Sequence, residues 1–350
     1  MKRLIISILT FPNLAASALS RFSTAVFSLS LLVTVAFFYK DYQTFLETSL
    51  SIKNQTVFEV LPGMSFADVN TRLKKLGLIK KTGYFKILAL HTKKANDIKS
   101  GEYLITPELN PIGLLKLLVS GKVIQYSFTI LEGWQISDMT QAVNLTDLLE
   151  HTLELDRSED IMTQLGYANE VAEGLFFPDT YNFPKGTTDK EFLQRAHLRL
   201  HEILDEEWQS SAKNLPYKTP YEALIMASII EKETSLASER KTIAGVFIRR
   251  LNKGMKLQTD PTVIYAIGKE FDGDIRKKDL NIDSLYNTYR YKGLPPSPIA
   301  LVGREAIHAA LHPEKGKSLY FVAKGDGSHY FSDTLKEHNK AVVKYQLKKK

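Results

Sequence analysis

The chain's hydrophobic pattern divides it into three unequal stretches. Phe22 to Tyr39 is uncharged and rich in Phe, Leu, Val and Ala. As a helix, these eighteen residues rise about 27 Å, close to the ~30 Å hydrocarbon core of a bilayer. Lys2, Arg3 and Arg21 precede the run, and no acidic residue appears before Asp41. The positive-inside rule therefore puts the N-terminus in the cytoplasm and the chain beyond residue 40 outside. A cleaved leader is the competing reading of the apolar stretch 4–11 with Ala15-Ala16-Ser17-Ala18. Pro12-Asn13 interrupts that stretch and the stronger apolar run lies later, so an uncleaved single anchor is expected. The boundaries are an N-terminal segment over 1–21, a transmembrane helix over 22–40 and a polar stalk over 41–54.

Residues 55–131 carry short, alternating element signals. Thr56–Leu61 reads as a strand and Pro62-Gly63 as a turn. Ser65 can cap a helix to about Leu76 with Phe66, Val69 and Leu73 on one face. A second helix is expected over Lys81–His91 and a strand over Gly101–Ile105. Pro111 opens a helix that Gly121 stops, and Lys122–Leu131 alternates as a strand. This pattern is a small α+β module.

Residues 132–350 are mainly helical in pattern. Ser137 starts a helix, and 145–166 is helical but weakly patterned. Asp189–Gln209 is a long helix with Thr188 as its cap. Tyr221–Thr234 and Ser238–Asn252 follow, then a polar loop and a helix with Asp260 as N-cap and Pro261 at its first position. Leu319–Val322 and His329–Ser332 form a hairpin, and Thr334 opens a terminal helix.

Composition narrows the chemistry. The chain has 350 residues, 44% hydrophobic and 24% charged, consistent with a globular body of more than one domain. It has no cysteine, which excludes disulfides, thiolate metal sites and a cysteine nucleophile. The net charge of +7 suits an acidic polymer or anionic lipid. The basic residues are dispersed and no nucleic-acid motif accompanies them; Lys348-Lys349-Lys350 reads as a solvated tail. Walker, dinucleotide and Gly-x-Ser-x-Gly patterns are absent.

The chemistry concentrates at Glu231-Lys232-Glu233-Thr234, where the apolar run Ala223–Ile230 ends. A carboxyl group against an apolar helix surface is held protonated, as a general acid for glycosidic-bond cleavage must be. At 100° per residue the two glutamates fall about 160° apart and cannot share one cleft. Glu233 lies among Ile225, Met226, Ile229 and Ile230, Glu231 nearer Leu224, Ala227 and Ser228, so Glu233 is the expected acid. An ordinary charged helix end is the bland alternative.

Other groups are weaker signals. Gln258 and Thr259 could meet sugar hydroxyls, whereas capping alone accounts for Asp260 and Pro261. Glu173–Tyr181 mixes aromatics with acids and turn residues, which suits sugar stacking and a core edge equally. Asn287-Thr288-Tyr289 and Gly293–Pro298 form a proline-stiffened loop of the kind that lines sites. His197/His201 and His308/His312 have the i,i+4 spacing of zinc ligands, yet neither sits in His-Glu-x-x-His, so both pairs are read as surface histidines and no metal or cofactor is assigned.

Together, Ala227–Thr234, Ala237–Arg240, Gln258–Tyr265, Tyr286–Tyr289, Gly293–Pro296, His312-Pro313 and Leu319–Val322 closely resemble the endolytic murein transglycosylases of the MltG (YceG-like) type, in the same order along the chain. The departure is the further apolar stretch 4–20 ahead of the anchor. The resemblance implies a single-pass inner-membrane protein with a LysM-like module at 55–131 and a mixed α+β YceG-type catalytic domain over 132–350. It implies internal cleavage of nascent peptidoglycan strands between N-acetylmuramic acid and N-acetylglucosamine, leaving 1,6-anhydro-muramyl ends, and partnership with peptidoglycan synthases. The family's catalytic glutamate maps to Glu233. Glu231, Glu173, Ser228, Gln258, Thr259, Asp260, Asn287, Thr288 and Tyr289 are supporting candidates. The competing class is a membrane-tethered, non-catalytic glycan-binding scaffold.

Overall fold

The computed structural model describes residues 13–156 and 158–347; Lys2, Arg3 and the Lys348–Lys350 tail lie outside them. The described residues form two compact units, divided between Ile124 and Gln125.

The first unit opens with α1 (Asn13–Glu47), whose stretch Arg21–Glu47 contains an 18-residue window of mean hydropathy 1.9 and is long and apolar enough to cross a membrane. From Arg21 to Lys40 its side chains are largely exposed, as a lipid-facing helix requires. Where a polar stalk was expected, the helix continues to Glu47 and packs on the small module C-terminal to it. Phe45 and Leu46 border the unit's core, Tyr42 meets the Tyr84 ring edge-on at 5.5 Å, and the Asp41 carboxylate accepts from Lys81 Nζ at 2.6 Å and Tyr84 Oη at 3.0 Å. Anchor and module therefore share an apolar seam.

That module is β1 (Thr56–Val60), α2 (Phe66–Lys75), α3 (Thr82–His91), β2 (Gly101–Ile105) and α4 (Pro111–Ser120). Ser65 closes a capping box with Asp68 at the start of α2, Asn110 caps α4, and Gly121 at φ +70° ends it. β1 and β2 pair antiparallel, with Phe58 opposite Tyr103. Both rings are fully buried with Val69, Leu73, Phe85, Leu114 and Leu118.

In the second unit, β3 (Tyr126–Thr129) is not a strand of the first module's sheet. It pairs antiparallel with β4 (Thr180–Phe183), which begins within the aromatic segment and was not expected as a strand. α5 (Ile136–Asn144) and α6 (Ser158–Leu165) follow β3. The stretch read as helical over 145–166 is helical only in α6; its polar first half is held by side chains, as where Thr152 and Leu153 N–H groups donate to Asp189. α7 (Asp189–Gln209) starts at the Thr188–Glu191 capping box. Then come α8 (Pro220–Glu233), α9 (Ala237–Asn252), α10 (Asp260–Ile267), α11 (Arg304–Leu311), the hairpin β5 (Tyr320–Ala323) and β6 (His329–Ser332), and α12 (Leu335–Val342).

α8 is the axis of this unit. Thr219 caps it, Pro220 occupies its first turn, and every residue from Ala223 to Ile230 is buried. A helix apolar on all sides must be surrounded, and α7, α9, α10 and α11 enclose it. The position of Glu233 on a more apolar side of the wheel therefore does not distinguish it, because both sides are buried. The neighbours beyond the last turn do.

Candidate active site

Glu233 ends α8, and its side chain turns toward the loop that enters α10. Its Oε2 accepts a hydrogen bond from Thr259 Oγ1 at 2.5 Å. Thr259, not Asp260, is the residue before α10, and its hydroxyl makes no capping bond because it is committed to Glu233. The loop is held in place by a threonine ladder. Thr259 N–H donates to Thr288 Oγ1 at 3.1 Å, the Thr262 and Thr288 hydroxyls meet at 2.8 Å, and Gln258 N–H donates to the Thr288 carbonyl at 3.2 Å. Gln258 has φ +51°, a left-handed backbone that costs a residue with a Cβ, and its side chain is exposed beside the site.

Burial pushes the Glu233 carboxyl pKa up; the Thr259 bond opposes this, the nearby Asp260 charge adds to it, and His329 and Arg250 oppose it. Glu233 keeps a partial opening to solvent. Burial thus favours the neutral form of a carboxyl that remains accessible, beside a hydroxyl able to donate to its charged form. Asp260 is exposed and accepts from Tyr289 Oη at 2.6 Å; burial first, and then that bond, raise the phenol pKa.

Arg250 and His329 were not candidates from sequence. Arg250 is buried on α9; its Nε donates to the Leu319 carbonyl at 2.6 Å and its Nη1 to that of Leu257 at 2.5 Å. It thus ties the hairpin to the loop that leads into Thr259. His329, on β6, is pinned by Glu239, whose carboxylate faces its Nδ1 at 2.7 Å and accepts its backbone N–H at 3.0 Å. An arginine in a helix's last turn and a histidine in a strand look like ordinary surface residues in sequence; only the fold brings them near Glu233.

The other expected residues divide between this site and the frame around it. Thr259, Asp260, Thr288 and Tyr289 gather at Glu233. Asn287 is fully buried and shapes the loop, its Nδ2 donating to the carbonyls of Leu280 and Ile282 and its Oδ1 accepting from Tyr289 N–H. Ser228 is fully buried and accepts from Ile299 N–H at 3.0 Å, which fixes the segment before α11. Glu231 points the other way: its Oε2 accepts from Gly303 N–H at 3.0 Å, where α11 begins, and its Oε1 lies 3.5 Å from Arg240. Glu173 is buried beneath α10, accepting from Ile136 N–H at 3.1 Å at the start of α5 and from Tyr265 Oη at 3.2 Å. Burial pushes its pKa up to about 7 against those hydrogen bonds.

The aromatics after Glu173 resolve as core: Phe176, Phe177 and Tyr181 are buried. Gly293–Pro296 lines a groove against the first turns of α8, at Thr219, Tyr221 and Ile225, the opposite end of that helix from Glu233. His197, read as a surface histidine, is 2% exposed. It adjoins Glu170 and His201, while His308 and His312 adjoin Glu207; these are the groupings among the described residues that could hold a metal.

Residues 58–344 match the YceG-like family. The chain is 36% identical over 303 residues to a Bacillus subtilis (strain 168) protein named endolytic murein transglycosylase, covering 81% of this chain and 82% of that one. It is 28% identical over 345 residues to a Streptococcus pneumoniae (serotype 2, strain D39) protein of the same name, covering 88% of this chain and 62% of that longer one. A solved structure of a putative yceG-like protein from Listeria monocytogenes aligns with a TM-score of 0.53 at 31% identity, covering 83% of this chain and all of that one. The chain belongs to the YceG-like family.

Proposed function

We propose that the protein is a membrane-anchored endolytic transglycosylase that cuts peptidoglycan glycan strands, with Glu233 as its acid and base. The observation that carries this reading is a desolvated carboxyl, open to solvent at one point and held by a single hydroxyl, in a chain whose relatives bear that activity in their names. Protonated Glu233 gives its proton to the glycosidic oxygen as the C1–O bond of the muramyl residue breaks. The resulting carboxylate, stabilised by Thr259 Oγ1, takes the proton of the muramyl C6 hydroxyl as that oxygen bonds to C1. The products are a strand with a free sugar hydroxyl and a strand ending in 1,6-anhydro-N-acetylmuramic acid, and Glu233 is again protonated. No water is consumed, and the internal nucleophile gains from proximity, so one carboxyl serves where hydrolysis uses two.

The apolar helix supports single-pass anchoring. With residues beyond it outside the cytoplasm, the enzyme would meet strands as synthases extend them and end their elongation. The first unit's own core and strand pair support a folded module within the expected 55–131 span; that it is LysM-like and binds glycan follows from the family resemblance alone.

The test is incubation of the full-length protein in detergent with uncrosslinked glycan strands, the fragments being read by mass spectrometry. Anhydro-muramyl ends at internal cuts are expected. Reducing ends would make it a hydrolase, and bound but uncut strands would make it a scaffold.

A further inference from the structure

Away from Glu233, α7 and the loop ahead of Glu173 bring three ligating atoms toward one point. His197 and His201 stand about one turn apart on α7, and Glu170 ends the turn that follows α6. His197 Nε2 is 2.8 Å from Glu170 Oε2 and 3.2 Å from His201 Nε2. All three atoms lie within 4.8 Å of one another. Two imidazole nitrogens and one carboxylate oxygen make a donor set for a zinc-class ion, whose bonds of about 2.0–2.2 Å place tetrahedral neighbours roughly 3.3 Å apart.

Hydrogen bonding leaves His197 incompletely matched in every protonation state. A neutral imidazole carries one ring proton. On His197 Nε2, that proton is shared between Glu170 and His201. On Nδ1, the Nε2 lone pair accepts from His201 but faces the Glu170 carboxylate, and the proton sits on a buried atom with no hydrogen-bond partner. Protonating both nitrogens leaves the same buried Nδ1–H unmatched.

We propose that Glu170, His197 and His201 form a three-ligand site for a zinc-class divalent cation, with water at the fourth position on the exposed side of Glu170. The ion takes three lone pairs at once and staples the loop around Tyr167–Glu170 to α7. Tyr167 already packs its ring against His197 at 4.1 Å, and Glu173 follows three residues after Glu170, so the staple also steadies the segment that caps α5. The metal-bound form still lacks an acceptor for His197 Nδ1–H. Such a partner is worth about 10–100-fold in affinity, so the site binds more weakly than one whose ligands are fully supported. The second grouping does not compete. Glu207 already binds Arg304 Nε at 2.8 Å and His308 Nδ1 at 2.8 Å, and a cation there would meet the guanidinium.

The experiment uses the full-length protein in detergent, stripped with a chelator and titrated with cobalt(II), whose visible absorption reports four-coordinate geometry; zinc(II) is then added to displace it. The wild type should bind one equivalent. His201→Ala should abolish the band, Glu170→Gln should weaken binding about tenfold or more, and His312→Ala should leave it unchanged. Glu170 is exposed, so Glu170→Gln reports on binding even where His201→Ala disturbs folding. Absence of a four-coordinate band in the wild type, its survival in His201→Ala, full affinity in Glu170→Gln, or its loss in His312→Ala would each overturn the assignment.

Discussion

Glu231 and Glu233 end the same helix, two residues apart, and both carboxyls are pushed toward protonation by burial. Their fates differ because their neighbours differ. Glu231 faces α11 and is spent on the Gly303 N–H and the Arg240 guanidinium, two donors supplied by the fold. Glu233 faces α10 and meets one hydroxyl, Thr259 Oγ1, with a path to solvent beside it. Burial alone does not make a carboxyl an acid catalyst. The unfilled hydrogen-bonding capacity on the Glu233 side leaves room for a further partner, which the proposed reaction fills with the glycosidic oxygen, and the filled capacity on the Glu231 side makes a structural joint.

That comparison can be tested by its consequences, from the largest to the smallest. Glu233→Gln keeps the size and the acceptor for Thr259 but has no proton to give, so turnover should fall about a hundred- to ten-thousandfold with the thermal midpoint nearly unchanged. Glu231→Ala should instead cost about 3 kcal/mol of stability, since it strands the partly buried Arg240 guanidinium and the Gly303 N–H at the entry to α11; chemical denaturation measures this.

Glu173 gives a pH signature of the same kind as a structural joint. Its folded pKa of about 7 lies above the ordinary value of 4.5, so the folded state binds the extra proton. Its contribution is full below pH about 4.5 and is lost as pH rises through about 7, a change of about 3 kcal/mol. Thermal midpoints of Glu173→Gln should lack this decline and exceed the wild type at about pH 8. The smallest effect is expected for Thr259→Val, about tenfold in turnover for one lost hydrogen bond to an ionising group. Because that bond lowers the Glu233 pKa, its loss should move the alkaline limb of the pH–rate profile to higher pH.

What sequence made legible obeys a physical rule. Elements announced by local chemistry were readable: the Ser65 and Thr188 caps, Pro111 and Gly121 bracketing α4, and the apolar run of α8. Elements that depend on distant partners were not. β4 is a short strand that exists because β3, far earlier in the chain, pairs with it. The site behaved likewise. The separation of Glu231 from Glu233 came from helix geometry, but the choice between them rested on apolar neighbours that the enclosed helix has on both sides. Asp260 looked like the cap of α10 because Asp-Pro is a local signal; Thr259 holds that position, with its hydroxyl drawn away by Glu233. A departure from local rules of this sort, beside the strained backbone of Gln258, is where functional constraint is expected to override propensity.

The most direct test of Glu233 as the acid is turnover of uncrosslinked glycan strands by Glu233→Gln and Glu231→Gln side by side, each checked for native folding. Glu233→Gln should lose strand cleavage while Glu231→Gln retains most of it, its amide oxygen still accepting from Gly303 N–H. Cleavage retained by Glu233→Gln and lost in Glu231→Gln would contradict the assignment.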